Sequence, residues 1–192
     1  MTPEEFIFVA RLLKEKTGLV LTRDKGYLVE NRLQPVVREH RVADVSELLS
    51  EVRAGNPAAT TALIDAMLSK DTAFFRDWKP FKHLGDLVLP NLRRARLSKR
   101  AFRVLSAGCA TGQEAYSVAM QIVEQAQEFA GWRVEIVGID LSGSAIASAE
   151  GGLYNQFEAQ RGLPVRRLVR HFKKEGTGWR INDNLRRMVS FR

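Results

Sequence analysis

Asp140, Glu114 and Arg76 are the side chains in this sequence whose type and setting could do chemistry, with Gly108 and Gly112 as the backbone that would admit a ligand. Asp140 follows the apolar run Val134–Ile139. A carboxylate at the carboxyl end of such a strand can accept both hydroxyl protons of a ribose. Gly108 and Gly112 lie in the small-residue stretch Ser106–Glu114. Without Cβ atoms they let the backbone turn sharply and let a ligand approach closely. The helix that follows offers unpaired N–H groups and positive dipole character. The spacing is G-x-x-x-G rather than the dinucleotide pattern G-x-G-x-x-G, and Glu114 would repel a pyrophosphate. A cationic, phosphate-free nucleoside such as S-adenosylmethionine suits that acid better. A purely structural strand–helix turn would use the same residues.

Arg76 follows Phe74 and Phe75 in the stretch Ser69–Asp77. Adjacent aromatics anchor a segment in a core, and a guanidinium fixed beside them makes a bidentate clamp for a carboxylate. A surface arginine next to core anchors fits the same sequence.

The elements that must position these residues are legible in the apolar periodicity. Phe102–Leu105 reads as a buried strand. Ala115, Val118, Ala119 and Ile122 recur at helical spacing, with the helix expected to reach about Phe129. With Val134–Ile139 this makes half of a nucleotide-binding βαβ unit. Ser142 caps a short helix through Ala149, and Pro164 opens another with Val165, Leu168, Val169 and Phe172 inward. Trp179–Ile181 and Met188–Phe191 flank Asn182–Asn184 as an expected hairpin. His171, beside apolar residues, reads as packed or exposed rather than catalytic. Cys109 reads as a small packing residue.

Ahead of these lies a helical region. Thr2 with Glu5 forms a capping box, Pro3 takes the first helical position, and Gly18 stops the helix. A second helix is expected from about Asp24, with a kink or break at Pro35. Asp44 with Glu47, and Asn56-Pro57, start two more. Short helices joined by short loops predict a small bundle. A helix from about Trp78 to Leu89, ended near Pro90, leads toward the first strand.

Net charge is +8, from 30 basic and 22 acidic residues, which favours anionic partners. The basic stretch Arg93–Arg100 lacks interleaved aromatics, and no helix-turn-helix, zinc or RNA-binding signature is present, so no nucleic acid partner is expected. No His or Cys pair stands at metal spacing, and no metal is expected. A lone cysteine, no membrane-length apolar run and no signal-peptide pattern imply a cytoplasmic protein without membrane insertion.

Several separate stretches resemble the chemotaxis protein methyltransferases, S-adenosylmethionine-dependent enzymes that esterify chemoreceptor glutamates. Thr72-Ala73-Phe74-Phe75-Arg76 is similar to that family's T-x-F-F-R. Ser106–Ser117, SAGCATGQEAYS, resembles its S-A-x-C-S-T-G-E-E-P-Y-S. Gly138-Ile139-Asp140 matches its second-strand acid, Gly151-Gly152-Leu153-Tyr154 its A-x-x-G-x-Y, and Thr17-Gly18 with Glu30-Asn31-Arg32-Leu33 its helical front. The resemblance covers nearly the whole chain.

It implies an α/β protein: a small helical bundle followed by a partial Rossmann-like methyltransferase domain. The expected divisions are 1–76 for the helical domain, 77–99 for a helical linker and 100–192 for the first part of the methyltransferase domain. The implied reaction moves a methyl group from S-adenosylmethionine to a glutamate, leaving S-adenosylhomocysteine. Arg76 would be the catalytic residue, holding the cofactor's carboxylate or steering the incoming glutamate. Asp140 would bind the ribose, and Glu114 the ribose or the methionyl ammonium. Thr72 would contact the methionyl end, with Ala107 and Gly108 as the floor. The implied partner is a chemoreceptor, met by a basic face of the second helix carrying Arg32, Arg38 and Arg41.

Three departures from the family stand out. Lys70 replaces an Asn, Gln113 and Ala115 replace a Glu and a Pro, and the family continues beyond the position of Arg192. Truncation is therefore expected, with unpaired strand edges open to self-association. A non-catalytic module that docks on a receptor or signalling partner is the alternative reading.

Overall fold

Thr2 and Glu5 close the expected reciprocal cap. The Thr2 hydroxyl accepts from the Glu5 N–H at 3.2 Å, and the Glu5 carboxylate accepts from the Thr2 N–H at 2.6 Å. Helix α1 (Pro3–Thr17) then runs to Gly18, whose φ of 75° ends it. The computed structural model describes residues 1–192, which fall into two compact units, Met1–Ser69 and Lys70–Arg192. No helix is long and apolar enough to cross a membrane.

The first unit adds α2 (Gly26–His40), α3 (Val45–Arg53) and α4 (Pro57–Met67). Asp44 accepts from the Glu47 N–H, and Asn56 from those of Ala58 and Ala59, so α3 and α4 begin where their caps direct. Val9, Leu13, Val29, Leu33, Leu48, Leu49 and Leu63 form its core. Of the kink or break expected at Pro35, the break does not occur. Proline removes one donor from the helical ladder, but Val29, Leu33, Val36 and Val37 stay buried along one side and the helix continues to His40. Arg32 also departs from expectation. Its Nη1 donates to the Met67 carbonyl at 2.6 Å, at the end of α4, so the exposed basic surface of α2 narrows to Arg38 and the capping Arg41.

The second unit opens with α5 (Lys79–His83), a wide π turn at Leu84–Val88, and α6 (Leu89–Ala95). The helix expected to end near Pro90 passes through it. Leu89 donates to the carbonyl of Leu84, five residues back, and Pro90, which has no N–H to donate, follows directly on this wider turn, so the chain stays helical through it. Then follow β1 (Ala101–Ala107), α7 (Gln113–Glu124), β2 (Arg133–Ile139), α8 (Gly143–Gly151), β3 (Leu153–Tyr154), α9 (Gln156–Gln160), α10 (Val165–His171), β4 (Phe172–Glu175), β5 (Gly178–Ile181), α11 (Asp183–Arg186) and β6 (Val189–Phe191).

A parallel sheet has the order β1-β2-β6, with Ala101 opposite Arg133 and Ile136 opposite Val189. A small antiparallel sheet has the order β3-β5-β4. The core gathers Tyr116, Ala119, Met120, Ile136, Phe74, Phe172 and Phe191. The outer face of the parallel sheet stays open, with Leu105 61% exposed, so β1 is buried on one face rather than both.

Four sequence expectations are corrected. Helix α7 stops at Glu124, because the chain turns back to place the buried Phe129 ring against Phe102 and Trp132. Val165 and Val169 are exposed, leaving Leu168 as the buried apolar residue of α10, with His171 buried beside it. Trp179–Ile181 and Met188–Phe191 do not pair. Asn182–Asn184 leads into α11, which carries the chain from one sheet to the other, and the true hairpin joins β4 to β5. Residues 70–76 fall in the second unit, because Phe74 packs edge-on against Tyr154 and Phe172 at 5.0 and 5.4 Å.

Candidate active site

The turn between β1 and α7 bends through left-handed backbone at Gly108 (φ 71°), Ala110 (φ 46°) and Gly112 (φ 91°). A non-glycine residue held there signals an over-determined segment. The fixing bonds are visible. Gly108 and Cys109 both donate to the Ile139 carbonyl, at 2.8 and 3.0 Å. Asp140 Oδ2 accepts from the Ala110 N–H at 2.9 Å, and Oδ1 from the Ser142 N–H at 2.8 Å. Asp140 thus staples the turn to the start of α8. Each carboxylate oxygen has lone-pair capacity for a further donor.

Two glycines serve space as well as conformation. A Cβ on Gly112 would stand 2.9 Å from the Ala149 Cβ and 3.0 Å from the Phe191 ring. One on Gly138, in β2, would stand 2.6 Å from that ring and 3.0 Å from Cys109 Sγ. Gly108 differs: nothing lies within 4 Å of where its Cβ would be, so its side of the turn is open to a ligand. Ala107 is exposed next to it. Burial, with the nearby Asp140 charge, pushes the Cys109 thiol up to about 11, so it is a packing residue and no nucleophile at neutral pH. Glu114 lies exposed on the first turn of α7, where its Oε1 accepts from the Ser106 hydroxyl at 2.7 Å.

A second strained segment packs beside this turn. Phe75 (φ 50°) and Asp77 (φ 52°) flank Arg76. The Phe75 N–H donates to Ser117 Oγ at 3.0 Å, and that hydroxyl donates to the Gln113 carbonyl at 2.6 Å, tying the segment to α7. The Tyr154 hydroxyl, whose ring meets Phe74, donates to the Thr111 carbonyl at 2.7 Å. Lys70 Nζ bonds Ser144 Oγ near the start of α8. Arg76 is half-exposed, with Nη1 donating to the Asp71 carbonyl at 2.7 Å. Thr72 is half-buried in the same segment.

The structure therefore joins Ala107, Gly108, Glu114 and Asp140 in one turn and sets Thr72 and Arg76 on the segment bonded to it. Residues 70–192 match the family model described as "CheR methyltransferase, SAM binding domain", and residues 4–68 the one described as "CheR methyltransferase, all-alpha domain". The chain belongs to the CheR methyltransferase family. Among curated relatives it is 36% identical over 196 residues to a chemotaxis protein methyltransferase of Vibrio parahaemolyticus, covering 100% of this chain and 70% of that protein. It is 37% identical over 187 residues to chemotaxis protein methyltransferase 1 of Pseudomonas aeruginosa, covering 95% of this chain and 68% of that protein. A probable biofilm formation methyltransferase of the same organism is 30% identical over 185 residues, with 42% of its length covered. In CheR terms, the helical bundle is the all-alpha domain, and the parallel sheet with its helices is the Rossmann-like domain that binds S-adenosylmethionine.

Sequence reasoning missed the network behind Arg76. Arg167 lies 4.0 Å over the Phe75 ring and bonds Glu124 through Nε and Nη2, at 3.0 and 2.8 Å. Glu124 Oε1 also lies 3.0 Å from Nε2 of the buried His171. Burial would raise the Glu124 carboxyl, but the bonds from Arg167 and His171 hold it below its usual range. Burial lowers the His171 pKa against the opposing pull of Glu124. The i, i+4 spacing of Arg167 and His171 was the one local signal of this cluster.

Proposed function

We propose that this chain transfers a methyl group from S-adenosylmethionine to glutamate side chains of a chemoreceptor, as a protein-glutamate O-methyltransferase of bacterial chemotaxis. The observation that carries the reading is the Asp140 staple beside the open face of Gly108. It presents a carboxylate with spare acceptor capacity at the end of β2, next to backbone without side-chain bulk. Glu114 and Asp140 make that mouth acidic, which suits a sulfonium nucleoside and disfavours a phosphate. The bound cofactor supplies an electrophilic methyl group.

The protein's own task is placement. A glutamate acceptor, with a reference pKa of about 4.3, is ionised at neutral pH, so no general base is required. Asp140 accepts from ribose hydroxyls, and Glu114 from the ribose or the methionyl ammonium. Thr72 meets the methionyl end, and Ala107 and Gly108 line the floor. Arg76 holds a carboxylate, the cofactor's or the acceptor's. Aligning acceptor and donor while excluding water provides most of the rate. Arg38 and Arg41 form the basic surface that would meet an acidic receptor helix, in the cytoplasm. Self-association would use the β1 or β6 edge of the parallel sheet, and sedimentation at several concentrations reads it.

Calorimetric titration with S-adenosylhomocysteine tests the site. Asp140→Asn is expected to weaken binding by roughly 1–3 kcal/mol, the worth of a charge-assisted hydrogen bond. Unchanged affinity in the folded variant removes Asp140 from the site. Arg76→Ala is expected to abolish transfer to receptor and leave the fold intact, since Phe74 and Phe75 do the packing. Absence of any cofactor binding by the wild-type chain would favour the non-catalytic docking module instead.

A further inference from the structure

Asp71 lies between two guanidinium groups from distant parts of the second unit. Arg161 Nη1 donates to Asp71 Oδ1 at 2.7 Å, and Arg76 Nη2 stands 3.4 Å from Oδ2. Each arginine takes one oxygen of the same carboxylate. We propose that Arg76 and Arg161 are the two arms of a carboxylate-binding site, and that Asp71 is its internal occupant, displaced by the carboxylate of an incoming ligand. The inference rests on the reading of Arg76 as a carboxylate-binding residue and adds Arg161 and Asp71 to it.

Three observations support it. The first is how Arg161 reaches the site. Its neighbour Gly162 has φ of 88°, and a Cβ there would collide with the carbonyl oxygen of Phe74. The backbone at 161–162 therefore nests directly on the segment that carries Arg76. Any larger residue at 162 would lift Arg161 away, so the juxtaposition is built into the main chain.

The second is the fixing of Arg76. It stands between two residues in left-handed conformation, with Phe75 held from three sides: its N–H by Ser117, its ring by Phe81 at 5.1 Å, and its face by Arg167. Strain of this kind persists where a side chain must be presented in one direction.

The third is charge. Two guanidinium groups around one carboxylate leave a net positive cluster, with most of their five N–H donors each still available. The Asp71, Arg76 and Arg161 side chains are 50%, 52% and 45% exposed. Half-exposed ion pairs are weak and exchange readily. Exchange of one carboxylate for another leaves the cluster's charge unchanged, so neither state strands two facing cations. The Arg161 hydrogen bond and charge, with Arg76 assisting, hold the Asp71 carboxyl below its usual range.

The ligand carboxylate has two possible sources, the methionyl end of the cofactor and the side chain of the acceptor glutamate. The experiment separates them. S-adenosylhomocysteine and 5′-methylthioadenosine, which lacks the amino acid, are titrated into the wild type, Arg161→Gln, Asp71→Asn and Arg76→Ala. The KM for a glutamate-rich receptor peptide is measured alongside. If the cofactor is the source, Arg161→Gln weakens S-adenosylhomocysteine roughly tenfold or more. Asp71→Asn then strengthens it about two- to fivefold, and 5′-methylthioadenosine is unaffected by either. The same opposed pair of effects on peptide KM alone identifies the acceptor as the source. In the wild type, carboxyl NMR should find the Asp71 pKa rising toward the ordinary aspartate range on saturation with the ligand so identified.

Opposed signs for Asp71→Asn and Arg161→Gln are the signature of displacement. Weakening by both substitutions makes Asp71 a strut and overturns the proposal, as does an Asp71 pKa that saturation leaves unmoved. No effect of Arg161→Gln beside a large effect of Arg76→Ala overturns this inference alone. No effect of Arg76→Ala overturns the reading beneath it.

Discussion

The two units differ in where they hold awkward backbone and buried polar groups. In the helical unit the one non-glycine residue with positive φ is Arg41, at a helix end, and the one buried charged residue is Glu5, in a cap. In the second unit Phe75, Asp77, Arg100 and Ala110 have positive φ, and Ser106, Gln113, Ser117, Ser142 and His171 are buried. Apart from Arg100 and His171, these residues lie in or beside the two segments that form the candidate site. The contrast teaches that the bundle is a regular apolar scaffold, whereas the site is held by strain and polar bonds that a scaffold would avoid. Substitutions should read out accordingly, as stability in one unit and as binding in the other.

The largest effect should come from the bundle. Leu33 is fully buried, and Leu33→Ala is expected to cost about 2–5 kcal/mol of stability through cavity formation. Affinity of the remaining folded protein for S-adenosylhomocysteine should be unchanged. A melt followed by circular dichroism, with calorimetry below the transition, checks both, and a parallel loss of affinity would break the contrast. Next is Ser117→Ala, which strands the buried N–H of Phe75 at a cost of about 1–3 kcal/mol. Here affinity should fall as well, because the partner lost is one of the three that hold Phe75 beside Arg76.

A smaller effect concerns pH. His171 is lowered from 6.5 and Glu124 from 4.5, so each binds fewer protons folded than unfolded just below its reference value. Their contribution is fully present above pH 6.5. It falls as pH drops from 6.5 through the folded pKa of His171, and a second loss begins below 4.5. His171→Gln should flatten the upper part of the stability profile and leave the lower part sloping. A slope between pH 7 and 5 equal to the wild type's would assign acid sensitivity elsewhere. Smallest is the reversal of Arg38 and Arg41 to Glu. It should move stability by less than about 0.5 kcal/mol and slow receptor methylation at low salt more than at high salt. Coincident salt curves would leave those arginines as plain solvated surface.

What the sequence disclosed and what it concealed divide by range. The caps at Thr2, Asp44, Asn56 and Ser142 were readable because each signal and its target lie within three residues. The strand, turn, helix and acid between Phe102 and Asp140 were readable because each is marked by the periodicity or composition of its own contiguous residues, although α7 ends at Glu124. Neither Pro35 nor Pro90 breaks its helix, because a buried apolar face and a π turn carry the chain on where propensity argued for a stop. Trp179–Ile181 was recognisable as a strand, yet alternation names no partner, and pairing with β3 and β4 was settled by packing. Glu124 meets Arg167 and His171, and Asp71 meets Arg161, across more than forty residues of sequence; beyond the i, i+4 spacing of Arg167 and His171, no local pattern marks them.

Phe191 gives the Gly108–Gly112 turn a dependence on folding order. Its ring fills the space left by Gly112 and Gly138, while Arg192 donates to the Gly138 carbonyl and accepts from the Asp140 N–H. A stretch that looks self-sufficient between Ala101 and Asp140 thus acquires its floor only when β6, some fifty residues further along, docks against β2. Long-range pairing of this kind pays its loop-closure entropy late in folding. The helical signal of α7 should therefore recover early during refolding, and competence to bind the nucleoside should appear only in the later phase that seats Phe191.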